Sequence, residues 1–564
     1  MKLSITLLAF AGFIIFSNKC IAQSAPPPIV IVLKPHGIEN TVDYIDVAIH
    51  LGAPDVGAGR TLVHLPLTIV SRPGIQLEAK DLKATDVEGV LPLGQSDMFA
   101  TSSSTYRNYI PARATLGDVT LEYRAHVNAS KRNGPLFDLV GQPGGVNGAG
   151  VTFLALPDTN NVYAIDVQWD LSALAAGSRG ISSLGEGEVK LVGPPEAALY
   201  MFYYAGAVKS YTLASSRFTV YWMTEPPFNV QAFAASIGQI YKEETSFFKG
   251  SAPAYNIFIR QNSFLGLGGT ALSHGFMLGY SRTGDENALA YRMLVSHEMI
   301  HNWPALSGDH IDTAWYSEGT AEYYSLLLSL RAHTNSMDET IEGLNSRVSA
   351  YLGNPLHTLN NRRVGEQFWK DLRAQTVPYG RGLLYLIHTN ARIVQATAGQ
   401  KSVDDVVLWV LNQQRAGKEI GNAEWVERVG SLIGAEAAKK DYEAMVAGSL
   451  DRVDPKAFSP CLVSVPAQIH EYDLGFDPQS FDSHRITGLN LSSAAAKAGL
   501  EEGDTIIDTS DTYRARMGQT NHLVLTVERG QNTLKIDYIP RSSQAISAFK
   551  WQLAPDITTA NCSL

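Results

Sequence analysis

Strict alternation of apolar and polar residues dominates the first third of the chain. Residues 44–51, 119–127 and 162–169 each follow a period of two, and turn signals separate such runs at short intervals. This pattern predicts strands with one buried face, and their number predicts a β-sandwich over residues 23–212. From about residue 215 the period lengthens. Residues 229–248 read as a helix and 255–260 as a short strand, after which helical periodicity prevails to about residue 450. Its clearest stretches are 383–393, 403–414 and 423–433. Residues 213–458 are therefore expected to form an α+β domain with a small sheet and a helical half. The tail, 459–564, returns to strand-like runs at 522–528 and 534–538, after turns marked by Gly499 and Gly503-Asp504.

Composition adds bounds. The 564 residues suggest about three or four domains. With 45% hydrophobic and 18% charged residues and a net charge of −10, the chain reads as soluble and mildly acidic. No basic run points to nucleic acid or to an anionic membrane surface. At the start, Lys2 precedes an apolar run over 3–16 that is too short to span a bilayer. Ala22, with Cys20 two positions before it, suits cleavage of a signal peptide covering residues 1–22. Lys19 before Cys20 speaks against a lipoprotein signal. The mature chain is expected to be exported, periplasmic or extracellular, with no membrane span. Two cysteines then remain, Cys461 and Cys562. A disulfide between them would close a long loop and stabilise by roughly 4–5 kcal/mol; two buried free thiols are the alternative.

The candidate chemistry sits in His297-Glu298-Met299-Ile300-His301. Four residues apart on a helix, the two imidazoles share one face and can grip one zinc ion. Glu298 lies at a neighbouring azimuth, where it can act on a water at the metal. A catalytic zinc needs a third protein ligand and an open position. Residues 313–328 supply a second helical run, with Tyr323, Leu326, Leu327 and, just beyond it, Leu330 at helical spacing, and Glu318 and Glu322 one turn apart. Glu318 is the candidate third ligand. Glu322 is the candidate acceptor for a ligand imidazole's N–H, with a plain surface acid as the alternative.

These residues carry a resemblance. His297-Glu298-x-x-His301 followed by Trp315-Tyr316-Ser317-Glu318-Gly319 resembles the gluzincin metallopeptidases. Ser317-Glu318-Gly319-Thr320-x-x-Tyr323-Tyr324, together with Trp303, is most similar to the glycyl aminopeptidase family. The resemblance implies one Zn2+ held by His297, His301 and Glu318, Glu298 as general base, and a thermolysin-like catalytic lobe behind an N-terminal β-domain. The reaction implied is peptide-bond hydrolysis, with small N-terminal residues such as Gly or Ala removed. Val377-Pro378-Tyr379-Gly380-Arg381-Gly382 resembles a Tyr-x-(Lys/Arg)-Gly motif, which implies that Tyr379 donates its phenol O–H to the tetrahedral intermediate before a helix over 383–394. In the tail, Asp473-Leu474-Gly475-Phe476 and the stretch from Ser493 through Gly499 to Gly503-Asp504 resemble a PDZ domain. That implies either a bound C-terminal peptide or a cap on the catalytic lobe.

Two departures widen the functional reading. Sixteen residues separate His301 from Glu318, fewer than is usual in these relatives. The Gly-rich stretch 266–274 also lacks the Glu that grips a substrate α-amine: Thr270, Ala271 or Ser273 stands in its place, and His274 is either a substitute contact or structural. An aminopeptidase leads. An endopeptidase or oligopeptidase, and a non-catalytic peptide-binding protein, are the alternatives.

Overall fold

The alternating runs near the N-terminus pair into a seven-stranded sheet. Its order is Val189–Gly193, Tyr163–Trp169, Pro28–Ile38, Thr41–Leu51, Val119–His126, Lys83–Asp86 and Gly89–Val90. Pro28–Ile38 runs parallel to Tyr163–Trp169 and antiparallel to Thr41–Leu51, with Ile31 opposite Ile49. The inward positions Ile29, Ile31, Leu33, Val47, Ile49, Leu121, Ile165 and Val167 are all buried. They join one core with Phe202 and Tyr204 of a five-stranded sheet formed by Val140–Gln142, Gly145–Ala149, Phe202–Gly206, Arg179–Ser182 and Gly185–Glu186. Burial of these faces is the main favourable term holding the layers together.

The computed structural model describes residues 25–564 apart from 39–40, 71, 102–103, 131–133, 214–217, 250–253, 263–267, 281–287, 369–370, 451, 511 and 563. The expected signal peptide, 1–22, lies outside the described residues. The chain divides into two compact units. The first holds the sheets above, a four-stranded sheet of Arg72–Pro73, Val63–Ile69, Ser104–Pro111 and Leu93–Thr101, and a mixed sheet of Lys209–Thr212, Phe218–Trp222, Tyr255–Gln261, Gly275–Tyr280 and Gly268–Leu272. Gly268–Leu272 is the edge strand, antiparallel to Gly275–Tyr280, and His274 turns the chain between them at φ 60°.

The second unit combines residues 235–251 with Asp285–Leu564. Four helices organise it, named here for the side chains they carry: the histidine helix Ala288–Ile300, the glutamate helix His310–Arg331, the arginine helix Met337–Leu352 and the tyrosine helix Leu372–Ala396. Local signals start three of them. The Asp309 carboxylate accepts the Ile311 N–H, Ser336 and Glu339 form a capping box, and Asp371 accepts the Arg373 N–H.

The tyrosine helix differs from the sequence reading. It begins well before residue 383 and runs through Pro378, so Tyr379 lies inside it rather than ahead of it. Pro378 removes one ladder hydrogen bond, which breaks many helices. Here the Asp371 cap and the buried residues Val377, Leu383, Leu384, Leu386 and Ile387 hold the turns on either side.

In the tail, Leu462–Tyr472 pairs antiparallel with Arg541–Leu553, and Thr505–Thr509, Leu523–Arg529 and Asn532–Tyr538 form a three-stranded sheet. Cys461 and Cys562 are bonded. Asn345 of the arginine helix exchanges two hydrogen bonds with the Trp551 backbone, 2.8 and 2.6 Å, which seats the tail on that helix. Among the described residues no helix is long and apolar enough to cross a membrane. The architecture is multidomain α+β, with several sheets and an N-terminal β-region.

Candidate metal centre

The histidine helix delivers His297 in its last turn, 6% exposed, and His301 just past its end. The helix end is pinned. Asn302 Nδ2 donates to the Met299 carbonyl at 2.7 Å, and the Trp303 ring stacks on Phe248 at 5.1 Å and 16°. The two imidazoles stand 5.1 Å apart, nearly perpendicular at 81°. Facing them, Glu318 on the glutamate helix places Oε2 3.3 Å from His297 Nε2 and 3.6 Å from His301 Nε2.

The three ligand atoms lie within 4.8 Å of one another. Bonds of about 2.0–2.1 Å at tetrahedral angles put ligand atoms roughly 3.3–3.4 Å apart, so two imidazoles and one carboxylate at this spacing fit zinc with a fourth position open. A harder ion such as Mg2+ prefers octahedral oxygen ligands, which this donor set does not provide.

Behind His297 stands Glu322, with Oε1 3.1 Å from His297 Nδ1. Its other oxygen takes the Nε–H of Arg347, from the arginine helix. Burial pulls the His297 imidazole toward the neutral form, but the carboxylates of Glu318 and Glu322 outweigh this and raise it to about 10. Burial likewise pushes Glu322 up, yet Arg347 and His297 bring it down to about 2. In Glu318 the same contest, against His301 and His297, leaves the carboxyl below its usual range. Glu298 goes the other way: burial raises it, and the two nearby imidazoles only partly oppose that. A carboxylate lifted in this manner is a better proton acceptor near neutral pH than an ordinary glutamate.

Tyr379 stacks its ring on His297 at 5.5 Å and 12°. Burial, reinforced by the carboxylates of Glu318, Glu298 and Glu322, holds its phenol proton on far above the ordinary range. A phenol in that state keeps its O–H available to donate. Its position depends on two glycines. A Cβ on Gly319 would lie 2.5 Å from Gly382 Cα, and one on Gly382 would lie 1.8 Å from the Trp315 carbonyl oxygen. The glutamate and tyrosine helices therefore touch backbone to backbone, which brings Tyr379 to Glu318.

Arg381, in the same motif, does not face the metal ligands. It is 2% exposed and donates to Asn361 Oδ1 at 2.5 Å and to the carbonyls of His357 and Leu359 at 2.8 and 2.5 Å, tying the tyrosine helix to the preceding loop.

In the Gly-rich edge strand Gly268–Leu272 and the turn after it there is no acid among the described residues. Thr270 Oγ1 accepts the Leu136 N–H at 2.7 Å, Ala271 and Ser273 offer no carboxylate, and burial lowers the pKa of His274. Two residues of the second unit had no strong sequence signal. Arg347 lies among the apolar positions Leu344, Val348 and Tyr351, where a buried arginine is an oddity. Glu244, on the helix Val230–Phe248, is fully buried and accepts from Ser296 Oγ at 2.9 Å, next to His297.

No family model and no curated protein matches the chain. Solved structures do. An aminopeptidase N family protein from Idiomarina loihiensis aligns at a TM-score of 0.63 and 12% identity, covering 95% of this chain and all of that one. At that identity the likeness is one of fold. An M1 zinc metallopeptidase from Deinococcus radiodurans aligns at a TM-score of 0.47 and 15% identity, over 75% of this chain and 94% of that one. Native yeast LTA4 hydrolase aligns at 0.46 and 14% identity, over 75% of this chain and 67% of that one.

Proposed function

We propose that this chain is a zinc metallopeptidase that acts as an aminopeptidase. One observation carries the reading: three ligand atoms lie at a spacing that suits zinc, with the Tyr379 ring stacked on His297 and Glu298 next to His297 in the chain. The fold likeness to an aminopeptidase N family protein agrees with it. His297, His301 and Glu318 would hold the ion, and Glu322 would fix the His297 ring. When bound, zinc supplies Lewis-acid polarisation of the scissile carbonyl and a water of lowered pKa. Glu298 takes the proton of the attacking water and passes it to the leaving amine. Tyr379 donates its phenol O–H to the oxyanion of the tetrahedral intermediate, where a fixed donor matters more than in the ground state.

The substrate end is the open element of this reading. Without an acid in the edge strand, the α-amine needs another anchor, and an endopeptidase or oligopeptidase is the second reading. Residues 213–458 would form a thermolysin-like catalytic domain between a β-domain at 23–212 and a PDZ-like tail at 459–564. In that tail the Gly475 N–H already donates to Asp473 Oδ1 at 2.9 Å, and the helix Ser480–Ser483 follows where a peptide-binding strand would run. These features favour a cap over capture of a C-terminal peptide. Export is part of the proposal, supported by the apolar run after Lys2 and by the Cys461–Cys562 bond, which suits an oxidising compartment.

The test is zinc content together with hydrolysis of aminoacyl-anilides, their N-acetylated forms and blocked internal peptides. Cleavage lost on acetylation supports the aminopeptidase, whereas cleavage of blocked peptides moves the reading to an endopeptidase. Zinc binding without any hydrolysis, and peptide affinity unchanged in Glu298→Gln, would leave a binding protein.

A further inference from the structure

The acid behind His297 is shared between two basic groups. Glu322 offers Oε1 to His297 Nδ1 at 3.1 Å, while Oε2 receives the Arg347 guanidinium. Arg347 is 7% exposed and directs Nη1 to the Gly343 carbonyl, one turn back on its own helix, at 3.2 Å. A guanidinium does not lose its proton inside a protein and presents its donors in a fixed plane. With one oxygen so occupied, Glu322 has a single orientation in which to meet the imidazole.

The arginine helix is itself held in place. Gly343 permits its approach to the glutamate helix, since a Cβ there would come within 2.7 Å of Leu326 Cδ2. The Ser336–Glu339 capping box fixes its start, and the reciprocal Asn345–Trp551 hydrogen bonds hold its outer side to the tail.

We propose that Arg347 is a positioning residue of the metal centre. Its guanidinium pins Glu322, and Glu322 in turn holds His297 with Nδ1–H toward the acid and the Nε2 lone pair toward His301 and Glu318. A partner of this kind fixes both the tautomer and the ring orientation of a ligand histidine. The inference rests on the zinc reading above and adds to it a residue from a third helix, set by the tail that packs on that helix.

The experiment measures zinc affinity by competition with a chromophoric chelator on the full chain, with thermal unfolding of each metal-free protein alongside. The variants are Arg347→Met, Arg347→Lys, Glu322→Gln, the double variant Arg347→Met/Glu322→Gln, and Glu318→Ala as control. Arg347→Met and Glu322→Gln should each weaken zinc binding by about 10–100-fold. The double variant should be no weaker than the weaker single, because both residues act through one carboxylate. Arg347→Lys, which keeps the charge, should recover part of the loss. A folded Arg347→Met protein within about twofold of wild type, or a fully additive double variant, overturns the proposal. If Arg347→Met does not fold, the neutral double variant and Arg347→Lys decide: wild-type affinity in the double variant overturns it, and partial loss in Arg347→Lys upholds it. Wild-type protein that binds zinc no better than Glu318→Ala overturns the metal reading itself, a result distinct from affinity that needs Glu318 but ignores Arg347.

Discussion

Gly382→Ala probes the crossing that positions Tyr379. The added Cβ would stand 1.8 Å from the Trp315 carbonyl oxygen and 2.6 Å from Gly319 Cα. An ordinary C···O contact is about 3.3 Å, so the two helices must part by roughly 1.5 Å at this point. Both obstacles are backbone, and no side chain can swing away to absorb the clash. Overpacking of this kind costs about 3 kcal/mol, while replacing a helical glycine returns about 1 kcal/mol of helix propensity. In a unit of roughly 300 residues, the net loss of about 2 kcal/mol should lower the midpoint of thermal unfolding by roughly 3 °C. The displacement also carries the Tyr379 ring away from Glu318, and a shift of about 1 Å at a catalytic group can cost about 100-fold in rate. Differential scanning fluorimetry measures the first effect and anilide hydrolysis at saturating substrate the second, with zinc content measured alongside because Glu318 neighbours the Gly319 obstacle. A variant that keeps both the wild-type midpoint and the wild-type kcat would refute the claim that this close crossing places the phenol.

Three further outcomes are expected. Tyr379→Phe should lower kcat by about 100–1,000-fold with zinc content and KM unchanged, and a change confined to KM would remove Tyr379 from transition-state stabilisation. Glu244 is held well above the usual carboxylate range by complete burial. Above the unfolded value near 4.3 the unfolded chain releases this proton while the folded chain keeps it, so stability falls as pH rises, by at most about 1.4 kcal/mol per pH unit, until the folded value is passed. Urea unfolding from pH 5 to 8 should therefore show a flatter profile for Glu244→Gln than for wild type; parallel profiles would mean that Glu244 is ionised in the fold. Cys562→Ser opens a cross-link between residues 101 apart in sequence and should cost about 4–5 kcal/mol. Dithiothreitol should produce the same loss in the wild type and none in the variant, and equal unfolding midpoints without reductant would contradict a stabilising bond.

Much of the architecture was legible because its signals are local. The alternation at 44–51 and 119–127 became the paired strands Thr41–Leu51 and Val119–His126, and the helical period at 229–248 became Val230–Phe248. The start of the tyrosine helix is not legible in the sequence because a proline inside a helix reads as a boundary, and only the packing of its buried face outweighs that signal. Arg347 and Glu244 were illegible for another reason. A buried charge declares itself only through its partner, and each partner lies on a different helix, Glu322 in one case and Ser296 in the other.

By itself the sequence determined the short-range geometry of the centre. A helix of fixed pitch places His297 and His301 on one face, and places Glu318 and Glu322 one turn apart, whatever surrounds them. It also specified the glycines that two helices would need in order to touch. Tertiary structure alone decided which helices meet: that Gly319 faces Gly382, that Tyr379 consequently lies over His297, and that Arg347 reaches the far oxygen of Glu322. Close packing sets such meetings, since the fit of one helix against another depends on every side chain along the contact and no local pattern encodes the partner.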